Sequence, residues 1–430
     1  MAFSPINMEI KKLALSLYAT IFVIVLALVA VFWFYTRSFT TFKVLPEEAS
    51  VTIDNKSYPP SAAGVVKAVL DPGMHEVKVE ASGYIGKVSE INFTRGNMKS
   101  FNISLAVQPE PVTVASGGRF LAKDNNFNTG YYLGDGGTSL YKFEVTANDK
   151  TGELEISNNV QISGDNLFGI QEIVWSSTKE LALFRKKNNS FSLFDFKKYD
   201  FVHQTETLYG QTIGSLAWAP DNSEIAYYYM PSNGNRQLIL ANLTNTETAI
   251  GTDMKAIGLE NPILHWSPDS QTILVIPQSS DTTKNKVCLF NISSRSTIEL
   301  TEDGNQTDAI FSPDGNKILY STIQKDSNSS IQTVLSVMDK DGSNKHALNL
   351  RADLKKVAWS KDSKTIVAAG VDNNSSDPTI FWYNTDTDQQ TGPIIRNIGN
   401  FTVKKLFLTD DEKAIIYETD EGIYALKISG

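Results

Sequence analysis

The sequence predicts an all-β ectodomain carried on one N-terminal transmembrane helix, and three observations predict it. Leu13 to Tyr35 contains no charged residue. Residues 42–106 alternate polar and apolar side chains between turn signals. Through the C-terminal two thirds, an apolar strand, a tight turn and a second apolar strand recur. The clearest copy is Phe311-Ser312-Pro313-Asp314-Gly315-Asn316-Lys317-Ile318-Leu319-Tyr320. In it Pro presets φ, Asp can hydrogen-bond the local backbone, and Gly accepts positive φ.

Composition sets the bounds. The chain has 430 residues, 41% of them hydrophobic, which suits one large repeat fold with small additions. A net charge of -9 argues against binding to nucleic acid, whose affinity comes from clustered Lys and Arg. Cys288 is the one cysteine, so an intramolecular disulfide and a multi-cysteine zinc site are excluded. Its neighbours Val287, Leu289 and Phe290 make it read as a buried structural thiol.

The elements follow in order. Residues 1–12 read as a short cytoplasmic tail and residues 13–36 as the membrane helix. The 23 uncharged residues from Leu13 to Tyr35 rise about 34 Å as a helix, enough for a bilayer core of about 30 Å. Phe32, Trp33, Phe34 and Tyr35 suit the membrane interface. The competing reading, a cleaved signal peptide, would put Leu28 three residues before a cut after Ala30, where a small residue is usual. Lys11 and Lys12 before the span and Arg37 and Lys43 after it nearly balance. Orientation then follows from length: the long C-terminal part is expected outside the cell membrane and the N-terminus in the cytoplasm.

In residues 42–106, Ser50 to Asp54, Glu76 to Glu80 and Ser100 to Leu105 alternate with period two, the mark of half-buried strands. Asp54-Asn55, Asp71-Pro72-Gly73 and Ser82-Gly83 punctuate them as turns. A small β-sandwich is expected. The run Phe42 to Asp54, then Leu70-Asp71-Pro72-Gly73-Met74-His75-Glu76-Val77-Lys78-Val79 and Gly83-Tyr84, resembles a PEGA domain. That resemblance implies an extracytoplasmic β-module of envelope proteins, adhesive or spacing in role and not enzymatic. Gln108-Pro109-Glu110-Pro111 reads as an extended linker, residues 107–111.

Residues 112–430 carry the repeat. The aromatic residue before each turn is Trp175, Trp218, Trp266, Phe311, Trp359 or Phe407, at intervals of 43 to 48 residues. A period in the forties with four short strands per unit marks a β-propeller blade. Ala217-Trp218-Ala219-Pro220-Asp221, His265-Trp266-Ser267-Pro268-Asp269, Ile310-Phe311-Ser312-Pro313-Asp314 and Ala358-Trp359-Ser360-Lys361-Asp362 resemble the TolB-type, WD-repeat-like propeller repeat. That resemblance implies a disc of six to eight blades with varied chemistry. Residues 118–163 hold four further strand candidates, and Val112 to Ala115 can complete the last blade. Seven blades are expected, or six if residues 118–163 are a decoration.

Chemistry is harder to read. Asp221, Asp269, Asp314 and Asp362 recur in register, which a turn requirement explains better than catalysis. The four histidines are His75, His203, His265 and His346; His265, beside Trp266, could face a channel or a neighbouring blade, and a packed role is favoured. No metalloprotease or nucleophile-elbow motif occurs. No cofactor, no metal and no catalytic residue is indicated. The loops between second and third strands are polar and unequal, so the binding candidates are Asn233, Arg236, Lys284, Lys325 and Asp372.

The sequence therefore supports a membrane-anchored scaffold or binding protein of the cell envelope, more non-enzyme than enzyme. Its propeller loop face would bind a protein or glycan partner. The alternatives are a propeller enzyme acting on envelope glycan, as lyase or hydrolase, and a sensor or assembly factor of an envelope complex.

Overall fold

The computed structural model describes residues 5–61, 63–96, 98–123, 128–134, 136–148, 153–164, 167–187, 194–230, 236–243, 247–253, 262–325, 331–372, 379–396 and 402–428. The chain divides into two compact units, Met1–Gln108 and Pro109–Gly430.

The first unit opens with the helix Pro5–Thr36, which starts well before Leu13 and so takes in most of the expected tail. Its segment Leu15–Thr36 is long and apolar enough to cross a membrane, and its apolar window is not buried in the rest of the chain. Only Arg37 separates this helix from the strand Ser38–Leu45. That strand lies between Val65–Leu70 and Met98–Ser104 in a three-stranded sheet. A four-stranded sheet runs Lys56–Tyr58, Ser50–Ile53, Gly73–Glu80, Lys87–Phe93. Phe42, Val44, Val51, Ile53, Val66, Val77, Val79 and Phe93 from both sheets close one core. Each such side chain contributes about 1.5–3 kcal/mol by leaving water. Gln108 donates its backbone N–H to Gly83 O at 2.8 Å, and Val107 bridges Tyr84. The first residues of the expected linker are therefore tied to the module.

The second unit is all-β. Among its described residues it forms five four-stranded antiparallel sheets and one double sheet resembling propeller blades. The first sheet holds Arg119–Lys123, Thr129–Gly134, Ser139–Ala147 and Leu154–Gln161. The second holds Ile170–Trp175, Leu181–Lys187, Phe194–Asp200 and Thr205–Gln211. The third holds Ile213–Trp218, Ile225–Tyr229, Gln237–Ala241 and Glu247–Asp253, and the fourth Ile263–Trp266, Thr272–Ile276, Cys288–Asn291 and Ser296–Glu299. In the double sheet, Gln306–Phe311 to His346–Arg351 form one half and Val357–Trp359 to Gln389–Arg396 the other. The last sheet pairs Lys405–Leu408, Ala414–Glu418 and Gly422–Lys427 with Val112–Ser116 from the start of the unit.

Apolar side chains pack between consecutive sheets. Leu133 and Leu140 of the first sheet meet Ala182 and Phe184 of the second. Phe196 of the second meets Ile225 and Tyr227 of the third. Tyr228 of the third meets Val275 and Phe290 of the fourth, where Cys288 is buried and its thiol pushed up to about 12 by that burial. The same arrangement continues from the fourth sheet through both halves of the double sheet to the last sheet. Val114, Ile416 and Ile423 of the last sheet then meet Leu121, Tyr132 and Phe143 of the first.

The recurring turns join neighbouring sheets. In the Phe311 copy, Ser312 N donates to Lys317 O at 2.9 Å and Gly315 N to Ser312 O at 2.9 Å. The fourth turn residue is left-handed in each copy: Lys179, Asn222, Ser270, Gly315, Ser363 and Glu412 all have φ between 55° and 73°. In that conformation its side chain can reach back to the preceding turn. Asn222 Oδ1 accepts from Ser177 N at 2.7 Å, Ser363 Oγ from Asp314 N at 3.1 Å, and Glu412 Oε1 from Lys361 N at 2.7 Å. Asn128, ahead of a strand of the first sheet, accepts from Asp410 N at 2.9 Å in the same manner.

The turn aspartates serve the same geometry. Asp314 accepts from Ser312 Oγ at 2.6 Å and Asn316 N at 3.0 Å. Burial raises its carboxyl, but these bonds outweigh that and hold it at about 2, below the ordinary 3.8. Hydrogen bonds likewise lower Asp221, Asp269 and Asp362. A depressed carboxyl stabilises the fold above its unfolded value and loses that contribution as pH falls through the folded value. The urea midpoint is therefore expected to fall between pH 4 and pH 2, and Asp314→Asn to flatten that slope. An unchanged slope in the variant would refute the assignment.

Candidate functional site

A cavity of about 520 Å³ opens among the first strands of the second, third and fourth sheets. Its wall includes Glu172, Trp175 and Arg185 from the second sheet, Ser215 and Trp218 from the third, and His265, Trp266 and Gln278 at the fourth. The turn signature places these tryptophans at the ends of their strands. Trp266 Nε1 donates to Ala217 O of the neighbouring strand at 3.0 Å.

His265 is the centre of the site. Its Nε2 lies 2.8 Å from Asp308 Oδ1, which stands on the first strand of the double sheet. A carboxylate only accepts, so Nε2 carries the donated hydrogen and Nδ1 is the nitrogen left for another partner. Burial alone would lower the imidazole, but the charge and hydrogen bond of Asp308 outweigh it and raise the group above the ordinary 6.5. The side chain stays 34% exposed, so the ring remains reachable.

Other charged groups of the unit are paired or buried. Arg185 Nη1 lies 3.5 Å from Glu172 Oε2. Lys405, on the first strand of the last sheet, has its Nζ 5.0 Å from the Phe407 ring. Burial lowers its ammonium; Glu418 and Glu172 oppose that shift, and Lys355 adds to it. Glu418 is buried and accepts from Leu121 N at 2.9 Å. The arrangement offers an imidazole and a guanidinium to one polar ligand. A second cavity, of about 510 Å³, is lined by Lys142 and Glu144 but holds no histidine.

The residues chosen from the loops are not gathered in this way. Arg236 is half-buried before the strand Gln237–Ala241. Lys284 ends a short 3-10 helix, 3.6 Å from Asp281, and Lys325 is exposed at the end of its strand. Asp372 pairs through its backbone with Leu350. Asn233 lies outside the described residues. Among the described residues, no hydrogen bond or ion pair joins any two of these. In sequence, His265 beside Trp266 reads as a packed residue. Its partner Asp308 sits 43 positions away on another sheet, and only the repeat register could have suggested the pairing.

Replacing Asp308 tests the electrostatics. In Asp308→Asn the charge that raises His265 is gone and burial decides, so the imidazole is expected to titrate below the ordinary 6.5. In the wild type, the contribution of a raised histidine is full below the unfolded value and is lost as pH rises through the folded one. Imidazole NMR titration of both proteins checks this; identical titration would sink the assignment.

Comparison with known proteins agrees with this architecture. Residues 43–109 match the PEGA domain. An oligogalacturonate lyase in complex with manganese has a TM-score of 0.51 at 13% identity, covering 75% of this chain and 97% of that one. A second oligogalacturonate lyase, from Vibrio parahaemolyticus, gives 0.49 at 13% identity, covering 75% and 98%. TolB from Acinetobacter baumannii gives 0.39 at 12% identity, covering 59% of each chain. At 13% identity the likeness to the manganese-bound lyase is one of fold. The manganese is that lyase's: among the described residues here, no three His, Cys, Asp or Glu side chains gather to hold a metal ion. No curated protein matches the chain. The chain thus carries a PEGA domain behind an apolar N-terminal helix, followed by a propeller-like unit.

Proposed function

We propose that this chain is a membrane-anchored protein that acts on an acidic glycan, with the His265 cavity as its working site. The helix tethers it, the PEGA domain spaces it from the membrane, and the C-terminal part lies outside the cell. The second unit is read as a closed seven-bladed propeller, a reading supported by packing between consecutive sheets and by the pairing of Val112–Ser116 with Gly422–Lys427.

The observation that carries the proposal is His265 on Asp308 at 2.8 Å, in a cavity shared with Arg185 and Trp175. Arg185 suits a uronate carboxylate. The imidazolium, stabilised by Asp308, is placed to give its Nδ1 proton to a leaving glycosidic oxygen as general acid. In a hydrolase water completes the cleavage; in a lyase a base removes the ring proton.

Acidic and neutral oligosaccharides should be offered to the full chain in detergent, following tryptophan fluorescence for binding and new chain ends for turnover. Acidic oligosaccharides are expected to bind and be cut. Arg185→Ala should weaken their binding, whereas His265→Gln should keep binding and lose about a hundredfold in turnover. If no oligosaccharide binds, the proposal fails. The exposure of Lys284 and Lys325 favours a second reading, in which the loop face docks an envelope protein or glycan without turnover. Binding that survives Arg185→Ala and is lost in Lys284→Glu with Lys325→Glu would select it.

A further inference from the structure

The end of the PEGA domain nearest the helix carries an apolar surface that its hydrophobic core does not use. Phe39 stacks on Phe34 of the helix, ring centroids 4.9 Å apart, and meets Trp33 edge-on at 5.5 Å. In the three-stranded sheet, Phe39 pairs with Val69 on one side and Met98 on the other. Paired residues share a face of a sheet, so these three form one row. Val69 is 43% exposed and Met98 71%.

The rows further along that face change character. Two residues on, Thr41 pairs with Lys67 and Ser100; two beyond that, Lys43 pairs with Val65 and Asn102. Successive rows stand about 7 Å apart. The outer face of the other sheet follows the same order. Met74 is 60% exposed, and Glu76, Lys78 and Glu80 follow it outward along the strand.

Two loops fix this apolar end at the level of the helix's last turn. Arg37 pairs with Asp71. Gly96, left-handed at φ 63°, donates its N–H to Arg37 O at 2.9 Å, and any side chain there would press on the Tyr35 ring. The last turn of a spanning helix with an aromatic cluster marks the bilayer interface. Leu45 and Val107 are also exposed, but they lie at the other end of the domain, where the chain leaves it.

We infer that the row Phe39, Val69, Met98, together with Met74, is seated in the bilayer at the boundary of headgroups and acyl chains. Lys67 then stands at the level of the phosphates. The PEGA domain is in this view a foot planted on the membrane and not a bead swinging on a tether. The occupant is lipid, because the patch is continuous with the membrane-spanning surface and gives way to polar rows at the depth where headgroups end.

Spin labels on the full chain in phosphatidylcholine vesicles test this. Labels are placed at Met98→Cys, Val69→Cys, Met74→Cys and Lys67→Cys, with Lys87→Cys as the reference. Lys87 pairs with Val79, about 20 Å up the strand from Gly73. Cys288, buried, supplies only a background that the unsubstituted chain measures. Labels at Met98, Val69 and Met74 are expected to collide with oxygen more, and with aqueous nickel chelate several-fold less, than the label at Lys87. Lys67 should fall between. Nickel accessibility at Met98 and Val69 equal to that at Lys87 would overturn the inference. So would low accessibility to both reagents, the sign of a protein surface in place of lipid. Because these positions are exposed, the substitutions leave the core intact, and agreement among three labels guards against a local artefact.

Discussion

Phe143→Ala is expected to destabilise the second unit by about 3–5 kcal/mol, read as a lower urea midpoint. Phe143 is fully buried and lies opposite Gly130, where any Cβ would meet its ring at 2.2 Å. The glycine thus makes the space the ring fills, and the ring's loss leaves a cavity that the stiff strand cannot collapse. The cluster around it joins the first sheet to the last, so the damage should spread to both ends of the unit. Phe196→Ala is the control. It removes an equally buried ring between the second and third sheets and should cost a similar amount. Amide exchange of Val112–Ser116 should accelerate with Phe143→Ala more than with Phe196→Ala. Equal acceleration would mean that the two ends are not held by this contact.

Gly422→Ala should be the next most severe change, at about 1–3 kcal/mol. Gly422 pairs with Ser116, and a Cβ on it would come within 2.2 Å of Ala115 O. Backbone cannot swing aside as a long side chain can, so one of the two strands must shift. The expected readout is a lower unfolding temperature together with faster exchange of amides in Val112–Ser116. Glu421→Ala, on the adjoining exposed turn, should leave both unchanged. Normal exchange in the Gly422 variant would show that the first strand is not fixed by the last.

Much of this architecture is legible in the residues because it depends on local chemistry. An uncharged run of helical length, period-two strands, and Ser-Pro-Asp turns all announce themselves within a few positions. The Trp175 copy shows the limit of that approach. Ser176-Ser177-Thr178-Lys179 lacks the Pro and Asp, yet Lys179 is left-handed and its N–H reaches Ser176 O at 3.2 Å, as in the other turns. There tertiary context imposes the turn that the sequence does not advertise. The contacts between sheets were hidden for a related reason. Asn222, Ser270, Ser363 and Glu412 look unrelated in sequence because the shared requirement is a left-handed backbone with an oxygen to offer the previous turn. The His265 site was hidden by distance along the chain, since four residues from three sheets must meet before it exists.

The pairing of Val112–Ser116 with Gly422–Lys427 has a mechanical side. This strand is the first of the second unit, so any pull transmitted along the chain from the anchored part arrives there first. It sits at the edge of its sheet with one neighbour, Gly422–Lys427. The tension is then carried by that ladder and by the contacts of Val114 with the first sheet, where Asn159 Nδ2 donates to Val114 O at 3.1 Å. A pull from the N-terminal side would load the C-terminal strands and the first sheet before it reached the second, third and fourth.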